Sequence, residues 1–170
     1  MLNGSGFCLR EWKLSDEASL IKHASNPNVS RFLADRFPYP YTTDDAKGWL
    51  DYQTQKTVID NLVIDIDGEL VGGIGIDCRQ DIFRKTALIG YWLGEPFWGR
   101  GIMAEAVKLM VEYAFEKFDL VRIQAGVFDG NPASMRVLEK AAFIKECISK
   151  NALFKHNKIY DEHVFVMIKP

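Results

Sequence analysis

Cysteine is scarce in this chain: Cys8, Cys78 and Cys147 are odd in number and far apart. That excludes a disulfide framework and a cysteine zinc site, and all three thiols are expected to serve in packing. His23, His156 and His163 match no metal-ligand spacing, so no metal is expected and the histidines are read as surface or packing residues. Charge of one sign is missing too. With 21 Lys and Arg against 23 Asp and Glu, the net charge of -2 leaves no basic footprint for nucleic acid or an anionic membrane. No apolar run approaches the length of a membrane span, and the stretch from Met1 to Trp12 has neither the basic flank nor the apolar segment of a secretory leader. A cytoplasmic location is expected. Repeats, low-complexity tracts and linkers are absent, and 170 residues suit a single domain over 1–170 with a sizeable core.

What the sequence does have is a set of clear periods and breaks. Phe7 to Glu11 predicts a short first strand. Ser15-Asp16-Glu17 predicts a helix start, with a hydroxyl cap and acids facing the positive end of the dipole, and that helix should stop near Asn26-Pro27. A short helical piece is expected around Val29 to Leu33, then the Phe37 to Tyr41 loop, then a helix capped by Thr42 or Thr43 and running to about Gln55. Trp12 is read as a packing residue, while Phe37, Tyr39 and Tyr41 suit either packing or an acceptor pocket.

From Ile59 the pattern is that of strands. Val63-Ile64-Asp65-Ile66 and Leu70-Val71 flank Asp67-Gly68, a two-residue hairpin turn. Gly72, Gly73 and Gly75 inside the second strand predict a bulge or a close backbone approach. Ala87 to Leu93 is nearly all apolar and predicts a strand buried on both faces. Gly101 to Phe118 predicts a helix with a narrow polar stripe of Glu105, Lys108, Glu112 and Glu116. With the strand Val121 to Phe128 after it, this makes a right-handed parallel crossover. Asn131-Pro132 opens another helix, with Asn as cap and Pro in the first turn. Strands over about Phe143 to Leu153 and Ile159 to Ile168 end the domain, giving an α+β fold on a mixed sheet.

The stretch that carries chemistry runs from Leu93 to Ala104, between a buried strand and a long helix. Gly99 and Gly101 let backbone approach an anion, and the free N–H groups of the first helical turn point at it along the dipole, so this is a site for a phosphate or pyrophosphate. Arg100 adds a charged donor. Equally, two glycines serve a tight turn. A P-loop is excluded because no Gly-Lys-Ser/Thr ending occurs. Gly99-x-Gly101-x-x-Ala104 fits a loose dinucleotide fingerprint with Asp129 as the ribose acid, but Asp129 is too distant and too little chain follows for a doubly wound sheet. Ser134, one turn into its helix, reads from the residues alone as reinforcing the N-terminus. Glu95 reads as a dipole partner or as a base acting through water.

Three blocks in order, Ile89 to Gly94, the glycine loop with its helix, and Asn131-Pro132-Ala133-Ser134 through Phe143, together resemble the GNAT N-acetyltransferases. More narrowly they are similar to the RimJ/RimL-like branch of ribosomal-protein alanine N-acetyltransferases, with Leu9-Arg10 and Asp161 extending the likeness. The resemblance implies a mostly antiparallel sheet with one parallel crossover pair and helices on both faces. It implies acetyl-CoA as cosubstrate, a primary amine as acceptor (a protein N-terminus or a small amine), direct attack in a ternary complex, and a monomer or homodimer. By the same resemblance, backbone N–H groups from Gly99 through Arg100, Gly101, Ile102 and Met103 to Ala104 hold the pyrophosphate beside Trp98. The main chain at Trp92 and Leu93 pairs with pantetheine, Asn131 contacts it, and Ser134 lies near the sulfur as proton donor. Leu138 stands where relatives often carry a Tyr acid and Leu88 where they often carry a Glu, leaving Glu95 through water or the carbonyls of the splayed strands to take the proton, and favouring low-pKa α-amines. Ala142 replaces a Gly after the last helix and predicts a strained or differently closed turn. An acetyl-CoA-binding module without turnover and a nicotinamide-dependent reductase are the competing readings.

Overall fold

In a computed structural model describing residues 1–170, eight strands make one sheet. They are β1 (Leu2–Gly4), β2 (Phe7–Arg10), β3 (Asn61–Ile66), β4 (Glu69–Cys78), β5 (Thr86–Leu93), β6 (Arg122–Phe128), β7 (Ile144–Lys155) and β8 (Lys158–Ile168), in the spatial order β1-β2-β3-β4-β5-β6-β8-β7. Only β5 and β6 run parallel. The helices are α1 (Glu17–Ala24), α2 (Pro27–Ser30), α3 (Thr43–Thr54), α4 (Ile102–Lys117) and α5 (Pro132–Lys140). This is the mixed α+β sheet the sequence predicts. No helix is long and apolar enough to cross a membrane.

Alternation along the strands sorts side chains into two cores. Leu9, Ile64, Val71, Ile89, Ile123 and Phe165 face α4 and α5, against Met110 and Leu138. Val63 and Leu70 point the other way, onto Leu20 of α1 and Leu50 of α3 with Trp12. Each fully buried aliphatic side chain contributes on the order of 1.5–3 kcal/mol. Trp12 also donates its indole N–H to Asn61 Oδ1 at 3.1 Å.

The hairpin at Asp67-Gly68 forms with φ of 52° and 86°, the left-handed pair that this dipeptide favours. The glycines of β4 answer to both expected causes. The β3–β4 register shifts at Ile64/Asp65, and a Cβ on Gly72 would lie 2.5 Å from the Trp92 carbonyl oxygen. Below the hairpin, Arg10 holds Asp16 through two hydrogen bonds of 2.8 Å and Asp65 through one of 2.6 Å, all three side chains buried. The two carboxylates keep the guanidinium charged against the cost of its desolvation, so its pKa is raised.

Several expectations need correction. β5 is not buried on both faces: Ile89 and Leu93 are buried, but Gly90 is exposed and Leu88 is 37% exposed, because α4 covers one face and the other opens on a cleft. Ser15 does not cap α1. Its cap position is Asp16, whose carboxylate turns to Arg10 and accepts the Lys13 N–H at 2.9 Å. The helical piece expected at Val29 to Leu33 is instead Pro27–Ser30, started two residues earlier by the Asn26 side chain accepting from Asn28 N–H. β1 was not foreseen: three residues carry too little pattern to read. Cys147 lies exposed on β7 and is not a packing residue.

Helix α5 ends as a Schellman turn. The Phe143 N–H reaches Leu138 O at 2.9 Å and the Ala142 N–H reaches Glu139 O at 3.0 Å, while Leu138 and Phe143 pack together in the core. Closure therefore has the normal geometry, but Ala142 is held at φ 65°. A left-handed non-glycine residue costs about 1–2 kcal/mol. Ala142→Gly is expected to stabilise the protein by about 1 kcal/mol, checked by urea unfolding; an unchanged or lower midpoint would contradict the strain.

Candidate active site

The parallel pairing of β5 and β6 is short. It consists of Thr86 with Arg122, Ala87 with Ile123 and Leu88 with Gln124. Beyond it β5 stays with β4 as far as Leu93, and β6 stays with β8 as far as Phe128. The two strands part, and a cleft of about 1050 Å³ opens between them. Its walls include Ile89 to Leu93, Ala125 to Phe128, the glycine turn, the start of α5, and residues around α2. That volume suits a large, elongated ligand.

One end of the cleft is the N-terminus of α4. Gly99 and Gly101 have φ of 76° and 83°, with nothing within 4 Å of where a Cβ would stand. Their need for glycine is therefore the left-handed turn itself, and the space above it is open. None of the six backbone N–H groups from Gly99 to Ala104 donates to a carbonyl, and the first to do so is Glu105 N–H, to Gly101 O at 3.3 Å. Six consecutive free donors at the positive end of a 16-residue helix make an anion cradle. The buried side chains of Ile102 and Met103 fix that turn to the core. Of the sequence-predicted residues, all but Arg100 and Ile102 line the cleft. Arg100 donates to Pro96 O at 2.8 Å and lies over the Phe97 ring.

Trp98 has a role the sequence did not suggest. Its indole N–H donates to Leu93 O at 2.7 Å, tying the end of β5 back to the turn. Trp92 faces away from α4, edge-on to Phe37. Glu95 accepts from Asn26 at 2.7 Å and from Asn28 at 3.0 Å, and these bonds hold its pKa below the usual carboxylate value. A carboxylate so engaged suits bracing α2 against the turn better than taking up a proton.

At the other wall, Asn131 caps α5, its Oδ1 accepting the Ser134 N–H at 3.3 Å. Ser134 Oγ lies 2.8 Å from the Tyr91 hydroxyl. Sequence reasoning missed Tyr91 as a functional group, although its signal was present: period 2 puts it on the same strand face as Ile89 and Leu93, beneath α5. Burial pushes its pKa up to about 12, with the Ser134 hydrogen bond pulling slightly the other way. The cleft thus holds a pair of neutral hydroxyls. Because the folded value is raised, the stabilisation tied to neutral Tyr91 is complete below the ordinary tyrosine pKa of about 10 and fades as pH climbs toward about 12. In a tyrosinate absorbance titration, the difference between the protein and Tyr91→Phe should stay flat until pH nears about 12; ionisation at the ordinary tyrosine pKa would overturn this.

Comparison with known proteins gives a consistent result. Residues 7–144 match the family model described as acetyltransferase (GNAT) domain. The chain is 48% identical over 105 residues to the probable N-acetyltransferase YjcK of Bacillus subtilis (strain 168), covering 61% of this chain and 58% of that one. It therefore spans less than two thirds of that relative's length. To the ribosomal-protein-serine acetyltransferase of Escherichia coli (strain K12) it is 30% identical over 126 residues, 68% of this chain and 70% of the other. Among solved structures, RimL, a ribosomal L7/L12 alpha-N-protein acetyltransferase in complex with coenzyme A, superposes with a TM-score of 0.84 at 22% identity, over 97% of this chain and 95% of that one.

Proposed function

The chain belongs to the GNAT acetyltransferase family, and from that membership we propose that it transfers an acetyl group from acetyl-CoA to a primary amine in a ternary complex. The observation that carries this is the row of six free N–H groups opening onto the gap between two parting strands. The donor substrate supplies an activated thioester, and everything else is the work of residues on the walls of the cleft.

In this reading the N–H groups from Gly99 to Ala104 hold the pyrophosphate, with Arg100 swinging in from Pro96. The open main chain of Trp92 and Leu93 pairs with the pantetheine arm, and Trp98 fixes the angle at which Leu93 O is presented. Asn131 keeps the start of α5 in place and contacts pantetheine. Ser134, backed by the protonated Tyr91, gives a proton to the departing thiolate, the function that Leu138 cannot serve. The likeness to a ribosomal-protein-serine acetyltransferase supports a peptide α-amino group as acceptor. A nicotinamide reductase is disfavoured by the sheet, where a single parallel pair replaces the doubly wound arrangement that a dinucleotide fold requires. A binding module without turnover is disfavoured by the half-buried hydroxyl pair in the cleft, which cofactor retention alone does not need.

Gly101→Asp sets a like charge against the phosphates in a position where the side chain meets no atom. Affinity for coenzyme A, by calorimetry, should fall more than tenfold while the circular dichroism spectrum is kept, with Gly101→Asn losing less; unchanged affinity in folded Gly101→Asp would remove the assignment. Ser134→Ala should lower kcat by about 10²–10⁴-fold with acetyl-CoA affinity nearly kept. Weaker binding with unchanged kcat would make Ser134 a positioning residue.

A further inference from the structure

We propose that Glu162 is the proton acceptor for the incoming amine, replacing from β8 the carboxylate that β5 lacks at Leu88. The inference rests on the acetyl-transfer reading and extends it to the base that reading leaves unnamed.

Three carboxylates line the cleft: Asp35, Glu95 and Glu162. Asp35 is taken by Lys155 at 3.2 Å, and Lys155 also donates to Leu33 O. Glu95 is taken by Asn26 and Asn28. Glu162 is half-buried and has no hydrogen-bond or ion-pair partner. Of the cationic side chains on the α2 and β7 walls, Lys155 is engaged and Arg31 lies over the Phe32 ring, so neither neutralises Glu162. Arg136 and Lys140 belong to the α5 wall.

Its position is specific. Val164 pairs with Gly126, so Glu162, two residues earlier, shares that face of the sheet and lies across the glycine. A Cβ on Gly126 would stand 2.0 Å from Glu162 Oε1, so this carboxylate occupies the space a side chain would fill. Gly126 is two residues past Gln124, the last β6 residue paired with β5. The carboxylate therefore sits where the strands begin to part, on the face shared with Leu88, whereas Tyr91 and Ser134 sit on the opposite face. A proton acceptor and a proton donor flank the same gap from its two sides.

The bookkeeping of the step is closed. Glu162 first takes a proton from the bound ammonium; as the freed amine nitrogen bonds to the thioester carbonyl carbon its second proton passes to solvent, the C–S bond breaks with its electron pair on sulfur, and the thiolate takes a proton from Ser134. Solvent then returns one proton to the hydroxyl pair and removes one from Glu162.

The test compares the protein with Glu162→Gln, which keeps the shape, on peptides bearing an α-amine, on a polyamine and on hydroxylamine, a nucleophile neutral at neutral pH. Thiol release is followed from pH 7 to 9. The expected loss in kcat is about 10²–10⁴-fold for the peptide at neutral pH, shrinking toward high pH and nearly absent for hydroxylamine. Glu162→Asp should recover part of it. As a readout apart from turnover, calorimetry of the peptide into the coenzyme A complex should show about tenfold weaker binding in Glu162→Gln, because the ammonium loses its carboxylate. A loss equal for every acceptor and every pH, or none at all, would overturn the role of Glu162 while leaving acetyl transfer standing. Failure of the unaltered protein to bind acetyl-CoA, or to acetylate any of these amines, would remove the parent reading and this role with it.

Discussion

Three residue pairs join the two halves of the sheet, Thr86 with Arg122, Ala87 with Ile123 and Leu88 with Gln124. Everything at the site depends on how short that seam is. On one side of that seam β1 to β5 pair antiparallel, and on the other β6, β8 and β7 do the same, within one sheet. Three pairs are enough to set register but too few to hold the strands together along their length, so backbone that would have been paired faces the cleft. Helix α4, buried against both halves through Ala106, Val107 and Met110, closes the back of the gap and presents its N-terminus at the front.

The walls divide the chemistry between them. Ser134 and Tyr91 are held against α5, where burial keeps the phenol protonated. The opposite face is lined with acids and bases from β7, β8 and the α2 segment, and there aromatic contacts such as Phe128 with Phe32 and with Tyr160 shape the wall. Side-chain alternation on a parted strand is what makes the division possible: neighbouring residues of β5 and β6 serve different sides of one ligand.

Much of this was legible in the sequence because it was written locally. The Asp67-Gly68 turn, the Asn131-Pro132 helix start, the apolar face of α4 and the glycine loop each depend on a few adjacent residues, and each stands where its pattern put it. Tertiary partners were the part the sequence withheld. Asp16 looked like a helix-dipole acid and is instead one arm of a buried pair with Arg10, which no spacing rule connects. Glu95 looked like a candidate base and is occupied by two asparagines nearly 70 positions away. The all-apolar run of β5 suggested burial on both faces, but Leu88 and Trp92 belong to the open side, where apolar residues line a cleft. Gly126 carries no local signal, because what demands a glycine there is the Glu162 side chain lying over it from another strand.

The brace made by Glu95 reaches beyond its own corner. One carboxylate fastens the start of the short helix α2 to the segment that leads into the glycine turn. Because Asn26 and Asn28 are bonded to the same carboxylate, neither end of the brace can shift without the other. Two walls of the cleft that are far apart along the chain are thereby joined into one mechanical piece.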